Sequence, residues 1–238
     1  MAKATYRLEK VDGRRYFHDG RKYVLIDTGF GTTVSTDGTI GQWKVEVWNR
    51  ERLHTFNPTK MPDGSNSEAM LCPQTGYSCL LREDSVTIDD DARELPPHDW
   101  FIPYDKEYIL NGYPFKTVVE CKVDGKPKKM FFDTGMRLAV LDDDSLLEGK
   151  EKVGEIEERI GWLYLSATAP VFKATFEFPC GLKFDGHFEH DYSKSLMKDI
   201  FGSANADGKG FFGIELLDRY DLFVSAINGK PGIAVIKR

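Results

Sequence analysis

Apolar and polar positions alternate along short segments of this chain, and turn residues separate the segments. Residues 4–18 alternate well enough to predict a strand, and Asp19-Gly20 follows as a turn. Asp-Gly is favoured in two-residue hairpins because both central positions need a positive φ. The returning strand, residues 22–26, is apolar towards its end and delivers Asp27.

The second half of the chain repeats this order. Residues 118–123 alternate, Asp124-Gly125 supplies a turn, and the apolar run 130–132 delivers Asp133, which lies 106 positions after Asp27. The same spacing separates two further pairs, Val34 and Val140, and Asp37 and Asp143. We interpret the repeat as a duplication that produces two similar units. The alternative is that Asp-Gly hairpins are common in β-rich chains and that the motif recurred by chance.

Each repeat ends its apolar strand with a carboxylate, a small hydroxyl and a glycine. The two copies are Asp27-Thr28-Gly29 and Asp133-Thr134-Gly135. If two such carboxylates faced each other across a pseudo-twofold axis, they could not both ionise and would share one proton. A pair of this kind acts as general base and general acid at once, so it can activate a water and protonate a substrate carbonyl. This chemistry hydrolyses peptides without a metal or a covalent intermediate.

An apolar strand that runs into Asp-Thr-Gly resembles the aspartic proteases of the pepsin and retropepsin group. The resemblance is local in the first half, whereas residues 114–238 resemble one whole retropepsin subunit. It implies an all-β, mainly antiparallel fold of two retropepsin-like lobes with a few short helices. A proline-rich connector at 96–103 places the lobe boundary so that the lobes span 1–105 and 106–238.

The family resemblance also implies roles for the motif residues. Asp27 and Asp133 would be the catalytic pair, and Thr28 and Thr134 would hydrogen-bond across the lobe interface. Gly29 and Gly135 would let backbone amides approach the carboxylates. The implied partner is a peptide or protein substrate in extended conformation, and the chain would form the site as a monomer. A homodimer in which each chain contributes Asp133 is the alternative.

Substrate-binding candidates flank these motifs. Gly76 and Tyr77 resemble the flap hairpin that closes over substrate, although Tyr77 packed at a turn is an equally good interpretation. Gly161 and Trp162 are candidates for the flap of the second lobe. The family has alanine or serine after Asp-Thr-Gly, but this chain has Phe30 and Met136. A bulky side chain at this position must turn away from the carboxylates or narrow the cleft.

The rest of the second half follows the family pattern. We expect a short exposed helix within 141–159 and a strand over 172–178. In the family, a segment like Gly210-Phe211-Phe212-Gly213 threads beside the catalytic loop, a short helix follows, and a final hairpin closes the sheet. Asn228-Gly229 supplies that hairpin turn. The first half shows no clear apolar-apolar-glycine segment, so the first lobe could be degenerate.

Composition narrows the possible partners and cofactors. A net charge of −6 and a pI near 5.5 provide no basic surface for nucleic acid. No segment has the length and apolarity of a signal peptide or a membrane span, so we expect a cytoplasmic protein without a membrane partner. The four cysteines contain no Cys-x-x-Cys and are expected to be reduced. His187 and His190 lack an evident third ligand, so we expect no metal and no cofactor.

Two other functions fit parts of the sequence. Residues 27–33 resemble the phosphate loop of the actin and sugar-kinase ATPases, with Asp133-Thr134-Gly135 as a possible second loop. Those enzymes need long packed helices, and this chain has few helical segments. The other alternative is a catalytically inactive pseudoprotease that binds a peptide strand in its cleft. The bulky Phe30 and Met136 beside the motifs suggest this alternative. No Gly-x-Ser-x-Gly motif supports a serine hydrolase.

Overall fold

The computed structural model describes residues 2–160, 165–190 and 210–238, and strands dominate them. The first half contains eleven strands and the one α-helix of the described ranges. They are β1 (Lys3–Val11), β2 (Arg14–His18), β3 (Tyr23–Ile26), β4 (Val34–Ser35), β5 (Thr39–Ile40), β6 (Trp43–Lys44), β7 (Glu46–Val47), α1 (Arg50–Phe56), β8 (Ala69–Leu71), β9 (Ser78–Leu81), β10 (Ser85–Asp89) and β11 (Trp100–Pro103).

The second half is also built from strands, so the predicted all-β class is confirmed. Its strands are β12 (Ile109–Leu110), β13 (Tyr113–Pro114), β14 (Val118–Val123), β15 (Lys126–Phe132), β16 (Ala139–Leu141), β17 (Gly154–Ile160), β18 (Leu165–Glu177), β19 (Lys183–His190), β20 (Gly210–Phe212), β21 (Tyr220–Ser225) and β22 (Gly232–Lys237). Short 3-10 helices lie at Pro73–Thr75, Lys106–Tyr108, Asp144–Leu146 and Ile214–Asp218. Among the described residues, no helix is both long and apolar enough to cross a membrane.

The first segment of the chain is a hairpin and not the single strand predicted over 4–18. Asp12 and Gly13 have φ angles of 53° and 76°, and they turn β1 back onto β2. Asp124 and Gly125 have φ angles of 48° and 81° and turn β14 onto β15, a hairpin that corresponds to β2–β3 of the first half. Asp-Gly supports this geometry because both residues tolerate the left-handed region. Alternation alone misses the first turn because the polar pair does not interrupt the pattern.

The strands form two large sheets. The larger has the order β11-β22-β21-β9-β10-β1-β2-β3-β8-β4-β7, and the smaller has the order β14-β15-β20-β16-β19-β18-β17. In the smaller sheet β14 also pairs with β18, which closes it into a barrel. Closure leaves fewer exposed edges along this half of the molecule.

Each half threads a short strand between the strand before its aspartate and the strand after it. In the second half β20 is parallel to β15 and antiparallel to β16, as predicted for Phe211 and Phe212. In the first half β8 is parallel to β3 and antiparallel to β4. The first half has no apolar-apolar-glycine sequence, as expected, but it does have the threaded strand. Ala69–Leu71 fills the role, and Cys72 stands where the second half has Gly213.

The helix predicted within 141–159 does not form. Only Asp144–Leu146 makes a 3-10 turn, and β17 begins at Gly154. Glu155 and Glu157 are exposed and alternate with the half-buried Ile156, which is the two-residue period of a strand. Pairing with β18 decides the conformation, because it satisfies the backbone of this charged segment. The strand predicted over 172–178 is confirmed as part of β18, apart from its last residue.

The C-terminal hairpin forms at Asn228-Gly229 as predicted, but it does not close the sheet of the second half. Strand β21 pairs with β9 and β22 pairs with β11, so the hairpin lies in the sheet of the first half. The main hydrophobic cluster correspondingly includes Phe17 of the first half together with Phe132 and Val235. The division into lobes at residue 105 stays a prediction, because the two halves share a core and the larger sheet.

A partly buried ion pair repeats in the two halves. The Lys22 ammonium contacts both carboxylate oxygens of Asp37 at 2.9 Å. Lys128 contacts Asp143 at 2.5 Å, and both partners lie 106 positions after their counterparts. Each pair ties the start of the aspartate-bearing strand, β3 or β15, to the residues that follow β4 or β16. The spacing of 106 residues found in the sequence therefore also relates the two ion pairs.

Candidate active site

The two motif aspartates lie at strand ends that are held from both sides. Asp27 directly follows β3, and its amide donates to the Leu71 carbonyl at 2.9 Å. Asp133 directly follows β15, and its amide donates to the Phe212 carbonyl at 2.9 Å. The threaded strands β8 and β20 therefore fix the backbone of each carboxylate in the same way.

Thr28 and Thr134 join the two halves through four reciprocal hydrogen bonds. The amide of each threonine donates to the hydroxyl of the other, at 3.0 Å in both directions. The Thr28 hydroxyl donates to the Phe132 carbonyl at 2.7 Å, and the Thr134 hydroxyl donates to the Ile26 carbonyl at 2.8 Å. Both threonines are buried. Each hydroxyl accepts one bond and donates one, so the network holds the two aspartate loops in register.

The carboxyl groups of Asp27 and Asp133 hydrogen-bond each other within the single chain. The Gly29 amide donates to Asp27 Oδ1 at 2.9 Å, and the Gly135 amide donates to Asp133 Oδ1 at 2.8 Å. A Cβ atom on Gly29 would lie 2.2 Å from Asp133 Oδ2, and one on Gly135 would lie 2.7 Å from Asp27 Oδ2. Each glycine thus packs against the carboxyl of the opposite half, where a side chain would collide.

The electrostatics favour a pair that shares one proton. Burial raises the pKa of Asp27, and hydrogen bonds from Asp133 and the Gly29 amide oppose this shift. Burial raises the pKa of Asp133 well above its ordinary value, and the negative charge of Asp27 raises it further. Because like charges in contact cannot both ionise, the pair loses its two protons in two separate steps. Between those steps one carboxyl is an acid and the other a base.

Phe30 turns away from the carboxyl pair. Its ring meets Trp48 at 5.1 Å and Phe56 of α1 at 5.2 Å, both edge-on, and it packs against the second hydrophobic cluster. Met136 continues the tight turn after Asp133, since its amide donates to the Asp133 carbonyl at 3.1 Å. We expected the bulky side chain at position 30 either to turn away from the carboxylates or to narrow the cleft. In the structure it turns away and leaves the carboxylates uncovered.

The flap predicted at Gly76 and Tyr77 does not form. Gly76, with φ 117°, ends the 3-10 turn Pro73–Thr75, and the Tyr77 amide donates to the Pro73 carbonyl at 2.8 Å. The Tyr77 ring packs against the core and lies 6.1 Å from the ring of Trp43. Packing at a turn, the alternative interpretation, describes this tyrosine, because the apolar ring gains more from the core than from solvent.

A long hairpin of the second half remains as a flap candidate. Strand β17 pairs with the first part of β18, from Gly154 opposite Val171 to Ile160 opposite Leu165. The predicted residues Gly161 and Trp162 follow β17 in the sequence and lie outside the described residues. The hairpin of the first half between β4 and β7 has only two residues in each strand, and its Ile40 and Trp43 are buried.

Three side chains contact the Asp-Thr-Gly loops without having been singled out in the sequence. The buried Gln74 amide donates to the Thr28 carbonyl at 2.6 Å, and the Thr117 hydroxyl donates to the Phe132 carbonyl at 2.7 Å. Arg14 donates to the Gly135 carbonyl at 2.7 Å. None of them belongs to a local motif, and the Arg14 contact spans 121 positions, so only the folded chain reveals it.

Histidine and cysteine residues do not form an alternative catalytic centre in the described part of the chain. His187 pairs with Glu215 at 2.6 Å and His190 pairs with Asp144 at 3.1 Å. No group of three potential metal ligands occurs among the described residues. The four cysteines are free, and burial raises the pKa of Cys121 to about 12, which keeps that thiol from ionising.

The chain was compared with protein-family models and with curated proteins, and neither comparison found a match. The likeness to aspartic proteases therefore depends on the motifs and the geometry described above.

Proposed function

We propose that this protein is an aspartic endopeptidase that hydrolyses peptide bonds with a water activated between Asp27 and Asp133. The observation that carries the proposal is the hydrogen bond between these two carboxyls, buttressed in one chain by the reciprocal bonds of Thr28 and Thr134. A structural role alone does not need two partly buried carboxyls in contact, because their mutual repulsion costs stability.

The pair can carry out both halves of the reaction. Asp27, as the carboxylate, takes a proton from the water while the water oxygen bonds to the scissile carbonyl carbon. Asp133, whose pKa is raised further, gives its proton to the carbonyl oxygen. The proton now on Asp27 then passes to the leaving nitrogen as the C–N bond breaks. The tetrahedral intermediate returns its hydroxyl proton to Asp133, which restores the starting state.

The proposal includes an extended peptide or protein substrate lying across the carboxyl pair, with the β17–β18 hairpin as the covering element. A monomer suffices, because a single chain supplies both carboxyls. We propose the cytoplasm as the compartment, and four free cysteines fit a reducing environment. Activity should favour acidic to mildly acidic pH, because the pair must keep one proton.

The test is cleavage of an unfolded protein substrate, with new termini identified by mass spectrometry. Asp27→Asn and Asp133→Asn should each abolish cleavage and leave the fold intact. Asp143→Asn is the matched control, because it removes a carboxylate from the same half outside the pair, and it should keep the activity. A statine-type peptide, which mimics the tetrahedral intermediate, should inhibit, and a chelator should not. Full activity in Asp27→Asn would contradict the single-chain pair.

The same experiment distinguishes the alternatives. A pseudoprotease would bind the statine peptide without cleaving any substrate. The ATPase alternative predicts magnesium-dependent nucleotide turnover. It is disfavoured because the hydroxyls of Thr28 and Thr134 donate to backbone carbonyls and not towards a phosphate site.

A further inference from the structure

Arg14 reaches from the first half to the catalytic loop of the second. It is the first residue of β2, directly after the Asp12-Gly13 turn, so the backbone at its base is well ordered by the hairpin. Its Nε donates to the Gly135 carbonyl at 2.7 Å, and its Nη1 donates to the Thr59 hydroxyl at 3.2 Å. Two separate acceptors thus fix the planar guanidinium.

Gly135, like Gly29, touches both carboxyls. Its amide donates to Asp133 Oδ1 at 2.8 Å, and its Cα faces Asp27 so closely that a Cβ would lie 2.7 Å from Oδ2. A group that holds the Gly135 carbonyl therefore acts on the position of the pair. A shift of this loop would change the distance of Gly135 from both Asp27 and Asp133.

The two sides of the pair carry different cations. The strand registers place Arg14 opposite Asp27 and Lys116 opposite Asp133. The Lys116 ammonium lies over the rings of Phe131 and Tyr108, at 5.7 and 5.8 Å, whereas Arg14 binds the Gly135 carbonyl. The surroundings of the two carboxyls are therefore unequal.

The charge of Arg14 acts on both carboxyls. It lowers the pKa of Asp27 and of Asp133, against the effect of burial. The Tyr16 phenol and the Cys72 thiol also interact with the pair, and burial raises the pKa of each. Both are therefore neutral at the pH of the reaction, so Arg14 is the cation of this described set.

We propose that Arg14 is a positioning residue of the carboxyl pair, which anchors the Gly135 loop and uses its positive charge to keep the pair singly ionised at lower pH. The inference rests on the proposed peptidase function. It adds to that function a control of the working pH by a residue outside the Asp-Thr-Gly motifs.

The experiment compares three variants by the pH dependence of kcat/KM. Arg14→Gln keeps a donor for the Gly135 carbonyl but removes the charge, and both limbs of its profile should move to higher pH by about one unit. Arg14→Lys keeps the charge and loses the two-pronged geometry, so its limbs should stay close to those of the wild type while kcat falls. Arg7→Gln, an exposed charge removal on β1, should leave profile and rate unchanged. Arg14→Gln limbs that superimpose on the wild type would overturn the proposal.

A titration of the carboxyl carbons by NMR gives a readout that does not need activity. The signals of the pair are those lost in Asp27→Asn and Asp133→Asn, and they should titrate at higher pH in Arg14→Gln than in the wild type. Substrate cleavage with an unshifted titration would refute the role of Arg14 and leave the peptidase standing. A shifted titration without any cleavage would refute the peptidase and keep the electrostatic role. If Arg14→Gln fails to fold, an Arg14→Lys variant with unchanged kcat and an unchanged titration would refute the anchoring role.

Discussion

The threonine network permits a quantitative test of what holds the two halves at the site. We consider Thr28→Val, because valine keeps the branched shape and loses the hydroxyl. The change removes the acceptor of the Thr134 amide at 3.0 Å and the donor to the Phe132 carbonyl at 2.7 Å. The two losses differ in cost, because the Phe132 carbonyl keeps a second hydrogen bond and the Thr134 amide does not.

The stranded Thr134 amide accounts for the greater loss of stability. A buried N–H without an acceptor costs about 1–3 kcal/mol. The Phe132 carbonyl keeps the hydroxyl of Thr117 at 2.7 Å, so its lost bond costs about 0.5–1.5 kcal/mol. We therefore expect Thr28→Val to lower the free energy of unfolding by about 2–4 kcal/mol, and to lower kcat as the aspartate loops lose their register.

Urea unfolding followed by tryptophan fluorescence measures the effect. Thr28→Ser is the matched control, since it keeps both hydrogen bonds and loses one buried methyl, at about 1 kcal/mol. Thr117→Val removes a buried hydroxyl without stranding an amide and should cost about 1 kcal/mol. If Thr28→Val were no more destabilising than Thr28→Ser, the reciprocal bonds would not hold the site together.

The packing of the carboxyl pair and the Lys128–Asp143 contact support three more predictions. Gly29→Ala places a methyl 2.2 Å from Asp133 Oδ2, so peptide cleavage should fall about a hundredfold or more with an unchanged circular dichroism spectrum, and retained cleavage would contradict the packing of the pair. In the wild type the pKa of Asp133 is raised above its unfolded value. Its contribution to stability is therefore fully present at acidic pH and is lost as the pH rises through the raised pKa. Asp133→Asn should therefore gain in Tm relative to the wild type between pH 4 and pH 8, and a constant difference would refute the shared proton. Lys128 holds the pKa of Asp143 at about 2, below its unfolded value, so that contribution is present above about pH 4 and lost as the pH falls to about 2. Lys128→Met should cost about 1–2 kcal/mol in chemical unfolding at pH 7 and much less at pH 2; an equal cost at both pH values would exclude the ion pair as the cause.

Local patterns predicted the elements that need only neighbouring residues. Asp124, Gly125 and Gly229 turn their hairpins because their own backbones accept the left-handed region. The strands that end at Asp27 and Asp133 are visible as apolar runs. The helix expected within 141–159 was wrong because the charged residues of β17 have no clear local preference, and pairing with β18 decided their conformation. Tyr77 was ambiguous for the same reason, since a flap and a packed turn share one local sequence.

The sequence by itself determined the chemistry available at the site: two carboxylates, each on a strand end and followed by a hydroxyl and a glycine, at a spacing of 106 residues. Only the tertiary structure decided that these carboxyls touch, that β8 supports the first as β20 supports the second, and that Arg14 binds the Gly135 carbonyl. The physical reason is that turn and strand preferences act over a few residues. A hydrogen bond between residues more than a hundred positions apart depends on the packing of the whole core.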